Sequence, residues 1–145
     1  MQVIDFEHYA RLPYPEMTGN HIYETQKGGR KTLKHSVLAY RAQVRGFLEA
    51  QGLARIGLAG PLWVEWLAQP PDQRGRDEDN LRKVVQDALT LGGLWADDSN
   101  KVIRLSVFRW GEPVKGGVVH IWVRPHDEDG QEGAQTGQEG VSWAR

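Results

Sequence analysis

Two short segments of the chain concentrate residue types that handle phosphate and metal. The first, RGRDEDNLRKVVQDAL from Arg74, carries Asp77, Asp79 and Lys83; the second, GGLWADDSNKV from Gly92, carries Asp97 and Asp98. Clustered carboxylates are what a hard, oxygen-seeking divalent cation requires, and Mg²⁺ is commonly held by one or two of them together with water and phosphate oxygens. A cation so held lowers the pKa of an attacking water, and a second one about 4 Å away would stabilise the leaving oxygen of an in-line displacement at phosphorus. Lys83 would add a fixed positive charge for the transition state. Arg74 and Arg76, just upstream, could grip phosphates on either side of a cut. The chemistry suggested is phosphodiester hydrolysis with Mg²⁺, or with Mn²⁺ in its place. Each piece also has a plainer reading. Aspartates at a helix start are favoured caps, Asp97-Asp98 suits a turn, and Lys83 is a natural i,i+4 partner of Asp79 or Asp87.

The elements that must position these residues follow from periodicity. Leu81, Val84, Val85, Ala88 and Leu89 recur at i, i+3, i+4, i+7 and i+8, a helical stripe that stops at Gly92-Gly93. Asp79 and Lys83 then share the opposite face one turn apart. If the strand after Asp98 ran beside the start of that helix, three or four carboxylates would converge. A second amphipathic helix is expected over 36–51, with Val37, Tyr40, Ala42, Val44, Phe47 and Leu48 as its apolar positions. Strands are expected over 3–12, 61–68, 101–110 and 117–124, the last two joined as a hairpin through Gly111 to Gly117. Between them, 18–34 reads as a long polar loop. The expected architecture is therefore a single α+β domain over 1–124, with a mixed sheet in β-α-β-α-β-β order and two helices packed on it. Residues 125–145, rich in Gly, Gln and acid, read as a disordered tail.

Charge is distributed unevenly. The whole chain carries −1 while residues 125–145 carry −4, which leaves +3 on the remainder. Between Lys27 and Arg45 stand Lys27, Arg30, Lys31, Lys34, Arg41 and Arg45 with no acid among them. Such a block reads as a surface that meets a polyanion, or more simply as a solvated loop and helix face. The chain has no cysteine, which excludes disulfides, thiolate zinc sites and cysteine nucleophiles and suits a reducing cytoplasm. Its five histidines lack metal-ligand spacing, so zinc is not indicated. The opening residues do not read as a signal peptide, and no apolar run has the length of a membrane span. Trp63, Trp66, Trp95, Phe108, Trp110 and Trp122 exceed what one sheet face under two helices would cover, so a homodimer seam is expected.

The segments R-x-R-D-x-D-N-L-x-K-x-x-x-D-A-L-T at Arg74–Thr90 and G-x-W-x-D-D at Gly93–Asp98 resemble the RusA family of Holliday junction resolvases, and Pro13-Tyr14-Pro15 followed by Asn20-His21-Ile22-Tyr23 resembles that family's opening. The likeness runs over about residues 5–124. It implies a small α+β homodimer that binds four-way junctions of branched DNA and nicks two strands symmetrically with Mg²⁺. By position, Asp77, Asp79 and Asp98 would hold metal with Asp97 close by, and Lys83 would be the essential basic residue. Lys27, Arg30, Lys31, Lys34, Arg74 and Arg76 would contact DNA. Glu78, where the family often has an apolar residue, and the acidic tail are departures. A less selective Mg²⁺ nuclease, or a junction-binding dimer without activity, are the rival readings.

Overall fold

A computed structural model of the chain describes residues 7–16, 23–25, 28–29, 31–33 and 35–126, the side chains of 23–25 and 31–33 aside. The elements in order are β1 (His8–Pro13), β2 (Tyr23–Thr25), β3 (Lys31–Leu33), α1 (His35–Ala50), β4 (Leu62–Gln69), α2 (Glu78–Leu91), β5 (Ile103–Trp110) and β6 (Val118–Pro125). The fold is a single α+β unit. A four-stranded mixed sheet in the order β1-β6-β4-β5 carries both helices on one face, and β2 and β3 form a separate antiparallel pair. This pair lies inside the stretch expected to be loop. The expected acidic tail lies outside the described residues from 127 onward.

The core forms where strand alternation meets the two helical stripes. Every second residue of β4, namely Leu62, Val64, Trp66 and Ala68, points to the helices, as do Val119, Ile121 and Val123 of β6 and Ala10 and Leu12 of β1. Against them α2 presents Leu81, Val84, Val85, Ala88 and Leu89, the five residues of its apolar stripe. From α1 come Tyr40, Val44 and Leu48. Ala42 and Phe47, assigned above to the apolar face of α1, are exposed; its buried residues Val37, Tyr40, Val44 and Leu48 make a narrower stripe. Two polar tethers hold α1 to the edge strand. Tyr40 Oη donates to the Pro13 carbonyl at 2.7 Å, and the Gln51 amide both receives the Arg11 N–H and donates to its carbonyl.

The hairpin expected between β5 and β6 does not form. β5 pairs in parallel with β4, while β6 pairs antiparallel with β4 on its other side and with β1. The reason lies in β4. Its near-continuous apolar run LWVEWLA suits a strand with neighbours on both edges. The link from β5 to β6 crosses the end of β4 and bonds to it, Gly111 N–H to the Ala68 carbonyl and Val114 N–H to that of Pro70. Gly117 (φ 73°) closes the crossing where a Cβ would meet Tyr14 Cβ at 2.6 Å.

Trp66 sits at the middle of this arrangement. It is 2% exposed, its indole N–H donates to Ser106 Oγ at 3.0 Å and its ring meets Phe108. Trp66→Ala is expected to lower stability by about 3–5 kcal/mol, the cost of a large core truncation. A urea titration would show it as a fall in midpoint at unchanged slope. A loss below about 1 kcal/mol, the range of exposed positions, would contradict the placement.

Candidate active site

Asp77 is the N-cap of α2. Its backbone is extended (φ −100°, ψ 119°) and its Oδ1 accepts the Asp79 N–H at 2.9 Å, while Oδ2 accepts from Asn80 Nδ2 at 3.3 Å. The capping alternative is thus realised for Asp77, yet its carboxylate remains exposed with lone pairs to spare. Asp79 stands in the first turn, exposed, and its carboxylate takes no hydrogen bond or ion pair among the described residues. Asp77 and Asp79 therefore lie together at the positive end of a helix, where carboxylates and phosphates are both favoured. Glu78 turns the other way along the helix and pairs with Arg82 at 3.8 Å.

Lys83 is on the same exposed ridge one turn on. Its ammonium lies 3.5 Å from Asp87 Oδ2, so the lysine pairs toward the C-terminal end of the helix and not with Asp79. Arg41 of α1 reaches the same oxygen at 3.8 Å. Arg41, counted above with the basic block, is thus turned to α2 and its side chain is only 21% exposed.

The two arginines before the motif have different fates. Arg76 packs into its own loop: it donates to the Asp72 and Arg74 carbonyls, pairs with Asp72 at 2.8 Å, and lies over the Tyr14 ring. It braces the loop that delivers Asp77. Arg74 also pairs with Asp72, through Nε and a terminal guanidinium nitrogen each at 3.2 Å, but its side chain is 77% exposed and so open to solvent. Asp72 was not singled out in the sequence, although its i,i+4 spacing to Arg76 was a signal. Hydrogen bonds from Arg74 and Arg76 hold its carboxyl well below the usual carboxylate range.

Asp97 and Asp98 are both exposed, and the structure sets them apart from Asp77 and Asp79. β4 and β5 are parallel, so α2 must begin past the end of β4 and return to the start of β5. Asp98 precedes β5 by five residues and belongs to the turn that follows α2, where Leu58 pairs with Trp95 and Val102 accepts from Leu62 N–H. The 14 residues of α2 therefore lie between the two acidic groups, about 20 Å at 1.5 Å per residue. Asp97 Oδ1 receives the Ser99 N–H at 2.7 Å, which draws its carboxyl below the usual range and makes it a turn residue. Among the described residues no three acidic or imidazole side chains gather into one potential metal cage. The condition for Asp77, Asp79 and Asp98 to converge within one chain is not met, because the strand after Asp98 starts from the far end of the helix.

Of the basic block, Lys27, Arg30 and Lys34 lie outside the described residues, and Lys31 opens β3 with its side chain undescribed. The sheet face opposite the helices bears Tyr9, His120 and Trp122, whose rings meet in a three-way cluster with centroids 5.3–5.9 Å apart, with Trp63 and Leu67 beside them. Glu65 lies in that face, 4% exposed, accepting from Trp63 Nε1 at 3.1 Å; burial pushes its carboxyl up, against the pull of Trp63, Arg109 and Arg124. No described helix covers this face. Trp66 and Trp95 instead belong to the core, while Trp110, 38% exposed at the end of β5, is in register with Ala68 and belongs to neither the interior nor the open face. No helix among the described residues is long and apolar enough to cross a membrane.

The chain's similarities fit this geometry. The family model described as endodeoxyribonuclease RusA matches residues 13–123. Crossover junction endodeoxyribonuclease rusA of Enterobacteria phage 82 is 34% identical over 108 residues, which cover 72% of this chain and 88% of the relative. The crossover junction endodeoxyribonuclease RusA of Escherichia coli (strain K12) is 35% identical over 104 residues, 69% and 84% respectively. The protein of the same name from Shigella sonnei (strain Ss046) is equally similar over the same shares. The span matched by the family model takes in both acidic segments, both helices and strands β4 and β5, and the chain belongs to the RusA endodeoxyribonuclease family.

Proposed function

We propose that the protein is a Mg²⁺-dependent crossover junction endodeoxyribonuclease that resolves Holliday junctions by paired nicks, acting as a homodimer whose two sites are each shared between protomers. The observation that carries the shared site is the placement of Asp77 and Asp79 at one end of α2 and Asp98 at the other. A two-fold dimer lets the far end of one protomer's helix meet the near end of its partner's, and does so twice, which gives two equivalent sites. Two sites related by a two-fold axis also match the pseudo-symmetry of a four-way junction.

The donor set fits the cation. Asp77 and Asp79 are adjacent, exposed and all-oxygen, and two carboxylates with water and phosphate are an ordinary complement for Mg²⁺. Bound there, Mg²⁺ would lower the pKa of the attacking water and stabilise charge on the leaving oxygen. The chain's own groups do the rest. Asp77 and Asp79, with Asp98 of the second protomer, would hold the cation. The α2 N-terminus favours the phosphate's charge. Lys83 places a cation next to the phosphoryl oxygens as charge builds in the transition state. Arg74 and the basic residues Lys27, Arg30, Lys31 and Lys34 bind flanking phosphates, which favours recognition by shape over sequence. Arg76 and Asp72 brace the loop behind Asp77.

A panel of four-way junction, flap and linear duplex, each with Mg²⁺ or with chelator, tests this reading. Cleavage confined to the junction and dependent on Mg²⁺ is expected. Equal cleavage of linear duplex would favour the unselective nuclease, and binding without any cleavage would favour the inactive junction binder.

A further inference from the structure

Asp79, Lys83 and Asp87 stand at i, i+4 and i+8 on one ridge of α2, so the lysine has a carboxylate one turn to either side. Intrinsic helix chemistry favours the first of them. An acid placed N-terminal to a lysine at i,i+4 is the better orientation, and helical side chains lean toward the N-terminus. The lysine nevertheless lies 3.5 Å from Asp87 Oδ2, and the Asp79 carboxylate carries no ion pair among the described residues. What distinguishes Asp87 is its setting. Its side chain is 30% exposed against α1, and Arg41 approaches the same oxygen at 3.8 Å, so its carboxylate is already held before Lys83 arrives. Ordering entropy that an exposed pair must lose has here been lost in packing.

We infer that Asp87 is a positioning residue that keeps the Lys83 ammonium off Asp79, and so leaves the Asp79 carboxylate available to a divalent cation. The inference rests on the proposed metal-holding role of Asp77 and Asp79. Were Lys83 to close on Asp79, it would occupy a lone pair that the cation needs and set a like charge beside it. Held toward Asp87, the ammonium stays within one turn of the site yet outside it. Asp87 itself is two helical turns from Asp79, about 12 Å along the axis, too far to share a cation with it. Its effect on the cation therefore runs through Lys83.

The test is Mn²⁺ binding to the full-length protein without DNA, followed at low salt by the paramagnetic signal of free Mn²⁺. Asp79→Asn is expected to weaken binding strongly. Asp87→Asn is expected to weaken it by about twofold, the competition that an exposed i,i+4 pair can exert. Asp87→Glu, which can still pair with Lys83, keeps wild-type affinity. Adding Lys83→Met to Asp87→Asn restores binding to wild-type strength or better, although the double variant does not cleave. Against Lys83→Met alone, Asp87→Asn adds no further loss, a coupling that neither a structural defect nor two independent changes of charge would produce. Wild-type binding by Asp87→Asn alone, or a loss that Lys83→Met leaves in place, overturns the inference while the metal assignment stands. Equal binding by wild type and Asp79→Asn overturns the metal assignment and this inference with it.

Discussion

Asp77→Asn and Asp79→Asn are each expected to reduce junction cleavage by at least about a thousandfold while leaving junction binding intact. An effect of that size follows from removing transition-state stabilisation worth several kcal/mol, since each 1.4 kcal/mol is a factor of about ten. The exchange is nearly isosteric. Asparagine is as good a helix cap as aspartate, so the amide oxygen introduced by Asp77→Asn would still accept the Asp79 N–H and the start of α2 would persist. Loss of cutting could then not be ascribed to an unravelled helix, and an unchanged melting transition would verify it. Binding rests on phosphate contacts elsewhere and would hold or tighten, because a negative charge facing the DNA is gone. Single-turnover cleavage and gel retardation of the same variants separate the two quantities. Cutting within tenfold of wild type in either variant would remove that carboxylate from the site.

The sequence was most informative where a single physical constraint acts locally. The α2 stripe from Leu81 to Leu89 was legible because 3.6-residue periodicity and the Gly92-Gly93 stop both depend on neighbours in the chain. The four strands of the main sheet were legible from runs of apolar, β-branched and aromatic residues bounded by Pro and Gly, the first of them only in part, since β1 is His8–Pro13. Their order was not, because pairing is a contest among distant segments. Gly111 to Gly117 has the composition of a hairpin turn, yet β4 outcompeted β5 for β6 by offering eight paired positions and a more apolar face. The β2–β3 pair was missed because three-residue strands carry too little pattern to separate from loop. The role of α1 was read in outline but with too wide a face, since Phe47 is apolar and solvent-facing at once.

The site was legible by composition and not by geometry. Asp77, Asp79, Lys83 and Asp98 could be picked out by type and spacing, but whether they meet depends on which way β5 runs. A parallel β4–α2–β5 unit sends Asp98 to the opposite end of the helix, a consequence visible only with the sheet order in hand. Arg74 and Arg76 looked equivalent in sequence. Asp72 and Tyr14 separate them, one arginine drawn into the loop and the other left exposed.

Active sites divided between protomers make a prediction that sites contained within one chain do not. Asp79→Asn and Asp98→Asn chains, each inactive alone, should regain activity when mixed and allowed to exchange subunits. In the heterodimer one site combines both substitutions, while the other joins Asp79 of one protomer to Asp98 of the other and is wild type. With random exchange half of the dimers are mixed and each has one working site of two, so about a quarter of wild-type nicking should return. Because a lone site cuts one strand, the product should be nicked junctions and not resolved duplexes. The measurement is junction nicking on a denaturing gel, with subunit exchange confirmed by differently sized tags on the two chains. Recovery near a quarter, as single nicks, is the result expected of carboxylates contributed by two protomers. No recovery despite demonstrated exchange and junction binding would contradict it, and would return Asp77, Asp79 and Asp98 to separate roles within each chain.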